Sequence, residues 1–251
     1  MCYYNGIRVS RWELAKLQKL EEDIKRLLGD NDLVVQNGFA FADWPIVKPI
    51  NGGSEYVVQM AHWEFIAGWT PTMEAQNENR KKGITTLNAI GEELFEKKTY
   101  KDAALKRRCL VISSGFYEWR WFKPEGEKKD IAYPYYITLP DKNYFFMAGI
   151  WQPWTDRSTG ETMDTFAIVT TKANSLMEQV HNKKKRMPTI LPDDLAFEWI
   201  KDGLSQDRIT ELATHQYPSA LMGAHSIEKD FRGSIEPETP FNYQELPSLV
   251  Y

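Results

Sequence analysis

Six strand-like segments crowd the middle of this chain: "LVVQ" at 33–36, "EYVVQMAHWEF" at 55–65, "RCLVISSGFYEW" at 108–119, "PYYITL" at 134–139, "YFFMAGIW" at 144–151 and "TFAIVTT" at 165–171. They are rich in β-branched and aromatic residues, and turn-forming Gly, Pro, Asp and Asn separate several of them. Helical patterns stand outside this block. Ser10 and Glu13 form a capping box, Leu14, Leu17, Leu20, Ile24, Leu27 and Leu28 line one face, and Gly29 is the stop. Towards the C-terminus, helices are predicted within 173–181, 192–203 and 205–215, the second with Pro192 at its start and Gly203 at its end. Strands massed in the middle with helices at the ends predict an α+β fold, a curved, mostly antiparallel, barrel-like sheet flanked by helices. The 251 residues are expected to form one domain, 1–251, with 120–133 as a hairpin loop and 230–251 as an irregular tail.

Composition narrows the function classes. Apolar residues make up 42% and charged residues 26%, the balance of an ordinary folded protein, and no apolar run approaches the ~18 residues of a membrane span. The stretch "RWELAKLQKLEEDIKRLLG" is charged throughout, so no secretory leader is expected and the protein should be cytoplasmic. In that reducing compartment Cys2 and Cys109 are not expected to pair, and Cys109 reads as a small buried hydrophobe. His62, His181, His215 and His225 show no metal-ligand spacing, so no metal or other cofactor is expected. A net charge of −4 argues against a general coat protein for nucleic acids, which would need an excess of Lys and Arg. Nine Trp, twelve Tyr and twelve Phe leave enough aromatic faces for a core and for stacking on unpaired bases.

Four stretches can carry chemistry. In "MCYY", loss of Met1 would leave Cys2 with a free α-amine and a free thiol on adjacent carbons, a 1,2-aminothiol. With pKa values of about 8 and 8.5, both groups are partly nucleophilic near neutrality. The amine condenses with an aldehyde to a Schiff base, and the thiol closes a thiazolidine ring on the same carbon. The same terminus could instead serve amide hydrolysis. In "GFYEWRWF", Glu118 stands among Phe116, Tyr117, Trp119 and Trp121. Aromatic surroundings desolvate a carboxyl group and raise its pKa towards that of a general acid at neutral pH, unless the residue faces solvent on an edge strand. In "MEQVHNKKKRMPTILP", His181 ends a short predicted helix whose dipole favours the imidazolium form, and Lys183, Lys184, Lys185 and Arg186 follow as the densest positive patch. That patch suits a phosphate backbone, although charge runs are often plain surface loops. In "TTLNAIGEELFEKK", Asn88 can orient a sugar hydroxyl or merely bond its own backbone, and upstream Trp63 and Trp69 are candidates for core packing and base stacking.

Taken in order, these stretches resemble the SOS-response-associated peptidase family, the abasic-site processing proteins that crosslink to damaged single-stranded DNA. The matching segments are "MC", "HWEFIAGW", "NAIGEE", "RCLVISSGFYEW" and "VHNKKKRMPTIL". The resemblance implies that Cys2 is the nucleophile once Met1 is removed, by the protein itself, and that it forms a thiazolidine with the ring-opened abasic sugar. It implies that Asn88 contacts the sugar and the N-terminus, that Glu118 is general acid and base, and that His181 binds the sugar hydroxyl and assists proton transfer. Trp69 is implied to stack beside the missing base, with Lys98 and Arg186 as further DNA contacts. The implied partner is single-stranded DNA carrying abasic sites, met by a monomer without a membrane; strand cleavage by a lyase-like route is a possible side activity. A cysteine peptidase using Cys2 with His181 and Glu118 or Asn88 is the alternative, and an inactive single-stranded-DNA-binding relative is a third reading. The chain departs from the family pattern at Glu64, Ala67, Ile90 and Ile112. Ile90 replaces an arginine and so removes a phosphate-binding guanidinium, which the lysines of a longer His181–Arg186 segment are expected to replace.

Overall fold

The computed structural model describes residues 2–7, 22, 33–50 and 55–250; the helix expected over 10–28 lies, Glu22 apart, outside the described residues. The strands are β1 (Tyr4–Ile7), β2 (Leu33–Asn37), β3 (Asp43–Ile50), β4 (Glu55–Trp63), β5 (Asn88–Ile90), β6 (Arg108–Ser113), β7 (Gly115–Phe122), β8 (Ile131–Thr138), β9 (Phe145–Thr155), β10 (Thr162–Lys172), β11 (Arg186–Pro188), β12 (Ile190–Leu191) and β13 (Gly223–Ser226). The helices are α1 (Met73–Lys81), α2 (Lys101–Lys106), α3 (Ser175–Val180), α4 (Asp193–Trp199) and α5 (Gln206–Ala213). No described helix is long and apolar enough to cross a membrane.

Strands β10, β4, β3, β6 and β9 run side by side, and β9 pairs with β10 as well as with β6, so this part of the sheet closes on itself. The expected α+β fold with a barrel-like, mostly antiparallel sheet is what the chain adopts; only the pairings of β10 with β4 and β5 are parallel among the described strands. Closure hides both faces of β6, so every residue of "RCLVIS" is buried rather than alternate ones. Even Arg108 is enclosed, donating to the carbonyls of Ala104 and Leu105 in α2 and of Trp199 at the end of α4, where helix-end carbonyls lack partners of their own. Inside the barrel Trp63 packs on Trp44 and Phe166, and its indole donates to the Leu87 carbonyl at 3.1 Å. Trp63 is therefore a core residue.

The second sheet has five strands in the order β13-β8-β7-β1-β2, all antiparallel. The chain leaves the barrel for this sheet between β6 and β7. Ser114 N donates to Gly6 O at 2.7 Å, Gly115 N donates to Ser113 Oγ at 3.1 Å, and the buried Asn5 side chain accepts from Ser113 and donates to Ile112 O. A Cβ at Gly115 would lie 2.2 Å from the buried ring of Tyr136, which is itself packed on Tyr117. Gly115→Ala should therefore cost roughly 3 kcal/mol, the upper end for overpacking a filled site, read as a lower urea midpoint; an unchanged midpoint would show that the ring yields. The hairpin between β7 and β8 is shorter than expected, because residues 120–122 and 131–133 belong to the two strands. Beyond β13, the tail is tied back by Arg120 donating to Pro247 O at 2.6 Å and by Tyr133 donating to Glu245 at 2.9 Å.

Candidate active site around Cys2, Glu118 and His181

Strand β1 lies antiparallel to β7 with Tyr4 opposite Tyr117, and the same register carries residues 2 and 3 alongside 119 and 118. Pairing thus brings the start of the chain to the glutamate of "GFYEW". Cys2 is fully buried and its Sγ donates to Tyr4 O at 3.6 Å. Burial pushes its thiol up, and the charge of Glu118 adds to the effect, so the resting thiol is protonated.

Glu118 is itself buried, and desolvation raises its carboxyl from 4.5 to about 7, as the aromatic surroundings in the sequence suggested. Its Oε2 lies 3.8 Å from His181 Nε2. The other ring nitrogen, Nδ1, is 2.7 Å from the Arg186 carbonyl; since a carbonyl only accepts, Nδ1 carries the hydrogen and Nε2 is left facing Glu118 as an acceptor. The charge state expected of His181 is overturned here. Burial lowers its pKa to about 4, helped by the charge of Lys184 and opposed by the hydrogen bond to the Arg186 carbonyl, so the ring is neutral at pH 7. A helix-end dipole was expected to favour imidazolium, but α3 has only six residues and desolvation outweighs it. Between pH 4 and 7 the pair holds one proton, and it sits on Glu118. A proton donor and a proton acceptor thus stand side by side.

Asn88 opens β5. Its Oδ1 and Nδ2 are both buried, and neither has a hydrogen-bond partner among the described residues. Buried amides are normally satisfied, so this one is available to a ligand. The segment leading into it packs against the start of the chain: Thr85 hydrogen-bonds the Tyr3 side chain, and the Leu87 side chain and Tyr3 O flank the same face of Gly38. Trp69 and Lys98 form a separate surface pair, the indole 55% exposed with the Lys98 ammonium 5.7 Å from its ring centre. Arg186 is placed differently from an open DNA contact. Its guanidinium forms a two-pronged ion pair with Glu92 at 3.0 and 2.8 Å and donates to Thr170 O at 2.5 Å, anchoring the end of the lysine loop.

No local pattern marks Asn182. Its side chain accepts from Trp121 N at 3.0 Å and donates to Trp121 O at 2.7 Å, a reciprocal clamp between the residue after His181 and strand β7, which carries Glu118. Such a clamp fixes the spacing of the acid–base pair. Glu64, unusual for its position in the resembled pattern, is fully buried but paired with Arg80 by hydrogen bonds of 3.0 and 2.5 Å, with His62 Nε2 at 3.8 Å. No group of three His, Cys, Asp or Glu side chains suited to a metal gathers among the described residues, and both cysteines are free.

The chain is similar to known proteins in both sequence and fold. The sequence model of the family described as SOS response associated peptidase (SRAP) matches residues 14–232. The chain is similar to abasic site processing protein YoqW of Bacillus subtilis, 32% identical over 182 residues that cover 72% of this chain and 74% of that one. It is similar also to abasic site processing protein HMCES of Xenopus tropicalis, 28% identical over 60% of this chain and 47% of the longer relative. An X-ray structure of a protein from Bacteroides thetaiotaomicron shares the fold with a TM-score of 0.77 and 31% identity, covering 95% of this chain and 97% of that one.

Proposed function

The chain belongs to the SOS response associated peptidase family, and on that premise we propose that it processes abasic sites in single-stranded DNA by forming a covalent crosslink through Cys2. The observation that carries the proposal is the buried acid–base pair beside Cys2, with the proton on Glu118 and a neutral His181 at 3.8 Å. An abasic sugar exists mainly as a closed hemiacetal. Opening it requires a proton for the ring oxygen and a base for the C1′ hydroxyl, which Glu118 and His181 Nε2 supply within hydrogen-bond reach. As the ring-oxygen bond to C1′ breaks, the hydroxyl proton passes to His181 and the aldehyde is exposed.

The α-amine of Cys2, freed by loss of Met1, then adds to C1′, and water leaves with a proton from the acid side to give an imine. The Cys2 thiol adds to the same carbon while its proton goes to the imine nitrogen, closing a thiazolidine. Asn88, with its unsatisfied buried amide, holds a sugar hydroxyl. Trp69 offers its exposed face to a neighbouring base, with Lys98 beside it. A protonated resting thiol fits this order, in which the amine attacks first. A thiolate peptidase would need a thiol driven down by a charged partner, and burial drives this one up.

Intact mass before and after incubation with a single-stranded oligonucleotide carrying one abasic site tests the proposal. A chain lacking Met1 that gains the mass of the oligonucleotide, less water, in a heat-stable form is the expected result. A processed N-terminus that forms no adduct would overturn it.

A further inference from the structure

The four basic residues of the loop between α3 and β11 are not equivalent. Arg186 is matched by Glu92 at 2.8 Å. Lys183 lies 3.4 Å from the Trp121 ring centre and 3.6 Å from Asp130. Lys185, held in the left-handed region at φ 49°, reaches Glu178 at 4.0 Å while its N–H closes the turn onto His181 O at 2.8 Å. Lys184 is exposed, and no carboxylate stands within ion-pair distance of it among the described residues. Its charge acts instead on Glu118 and His181. The turn that presents it is fixed at both ends, by the Asn182 clamp on Trp121 and by Arg186 on Glu92.

The sheet supplies the second half of the geometry. Thr170 of β10 pairs with Ile90 of β5 on one side and with Pro188 of β11 on the other. Two strand spacings, about 10 Å, therefore separate the position that lacks its guanidinium from the strand that the lysine loop enters. The lysine loop leads directly into that strand.

We propose that Lys184 is the cation that binds the backbone phosphate next to the abasic sugar, taking over from the arginine that Ile90 replaces. The inference rests on the proposed DNA function and narrows it to one side chain: Lys183 and Lys185 are held by carboxylates, and Arg186 is an anchor. Of the three lysines in the loop, Lys184 alone has no carboxylate partner among the described residues, and its charge acts on both Glu118 and His181, beside which the phosphate flanking the reacting sugar would lie.

The test is the affinity for a fluorescent single-stranded oligonucleotide carrying one stable abasic analogue, measured from low to moderate salt for the wild type and for Lys183→Ala, Lys184→Ala and Lys185→Ala. One lost phosphate contact lowers the slope of log affinity against log salt by about 0.7. Lys184→Ala should show that change with a severalfold loss of affinity at low salt, the other two should keep the wild-type slope, and adding Ile90→Arg to Lys184→Ala should restore it. Equal losses in all three variants, or a wild-type slope in Lys184→Ala, would overturn the assignment. Failure of the crosslinking proposal is read separately, as a wild type that binds the oligonucleotide but forms no adduct with a natural abasic site.

Discussion

Cys2→Ser is expected to abolish the heat-stable adduct with abasic single-stranded DNA while binding of the same oligonucleotide is kept. Serine is nearly the size of cysteine, and its hydroxyl can donate to Tyr4 O as the thiol now does, so the packing at this fully buried position should survive. The α-amine also survives. An imine can therefore still form, but the hydroxyl is a far weaker nucleophile towards it than sulfur, and the adduct hydrolyses on heating. Two readouts separate these steps. A denaturing gel after heating should show no crosslink for Cys2→Ser, whereas reduction with borohydride during incubation should trap the imine in the variant as well as in the wild type. A peptidase acting through a Cys2 thioester would give neither product, and a heat-stable adduct in Cys2→Ser would remove the thiol from the mechanism.

What the sequence revealed and what it hid follow from the range of the interactions involved. The barrel was legible because its strands are locally rich in β-branched and aromatic residues, and Glu118 was legible because its desolvating neighbours are also its neighbours in sequence. Strand β3 was hidden by Pro45 and Pro49, which argue against a strand; it forms because its pairing with β6 is confined to Ile46 and Val47 between them. Helix α1 was hidden because "MEAQNENRK" buries only Gln76 and so has no apolar stripe, although Thr72 caps it. The Asn182 clamp joins residues 61 apart and the Arg186–Glu92 pair residues 94 apart, and no local pattern encodes either. The charge of His181 was misjudged for the same reason. A helix end is visible in sequence, but the burial that empties the ring of its proton is made by the fold.

Glu118→Gln is expected to have opposite effects on rate and stability. Without a proton to give, the variant should crosslink about 10²- to 10⁴-fold more slowly, and the alkaline limb near pH 7 in the wild-type rate profile should disappear. Stability moves the other way. The Glu118 carboxyl titrates near 4.5 when unfolded and near 7 when folded, so its contribution is complete below 4.5 and lost as pH rises through 7. At 1.36 kcal/mol per unit the loss is roughly 3 kcal/mol. His181 has the reverse sign: its pKa falls from 6.5 to about 4 on folding, so the stability it allows is complete above 6.5 and lost as pH falls through 4. In the wild type the two slopes oppose each other between about pH 4.5 and 6.5. Glu118→Gln removes one of them, and its thermal midpoint relative to the wild type should climb with pH from 4.5 to about 7 and then level off. His181→Gln should fall relative to the wild type as pH rises from about 4 to 6.5. Thermal midpoints from pH 4 to 8 decide the matter: a Glu118→Gln curve parallel to the wild type would mean that Glu118 is ionised in the folded protein at pH 5 to 6, and the acid step would then need another donor.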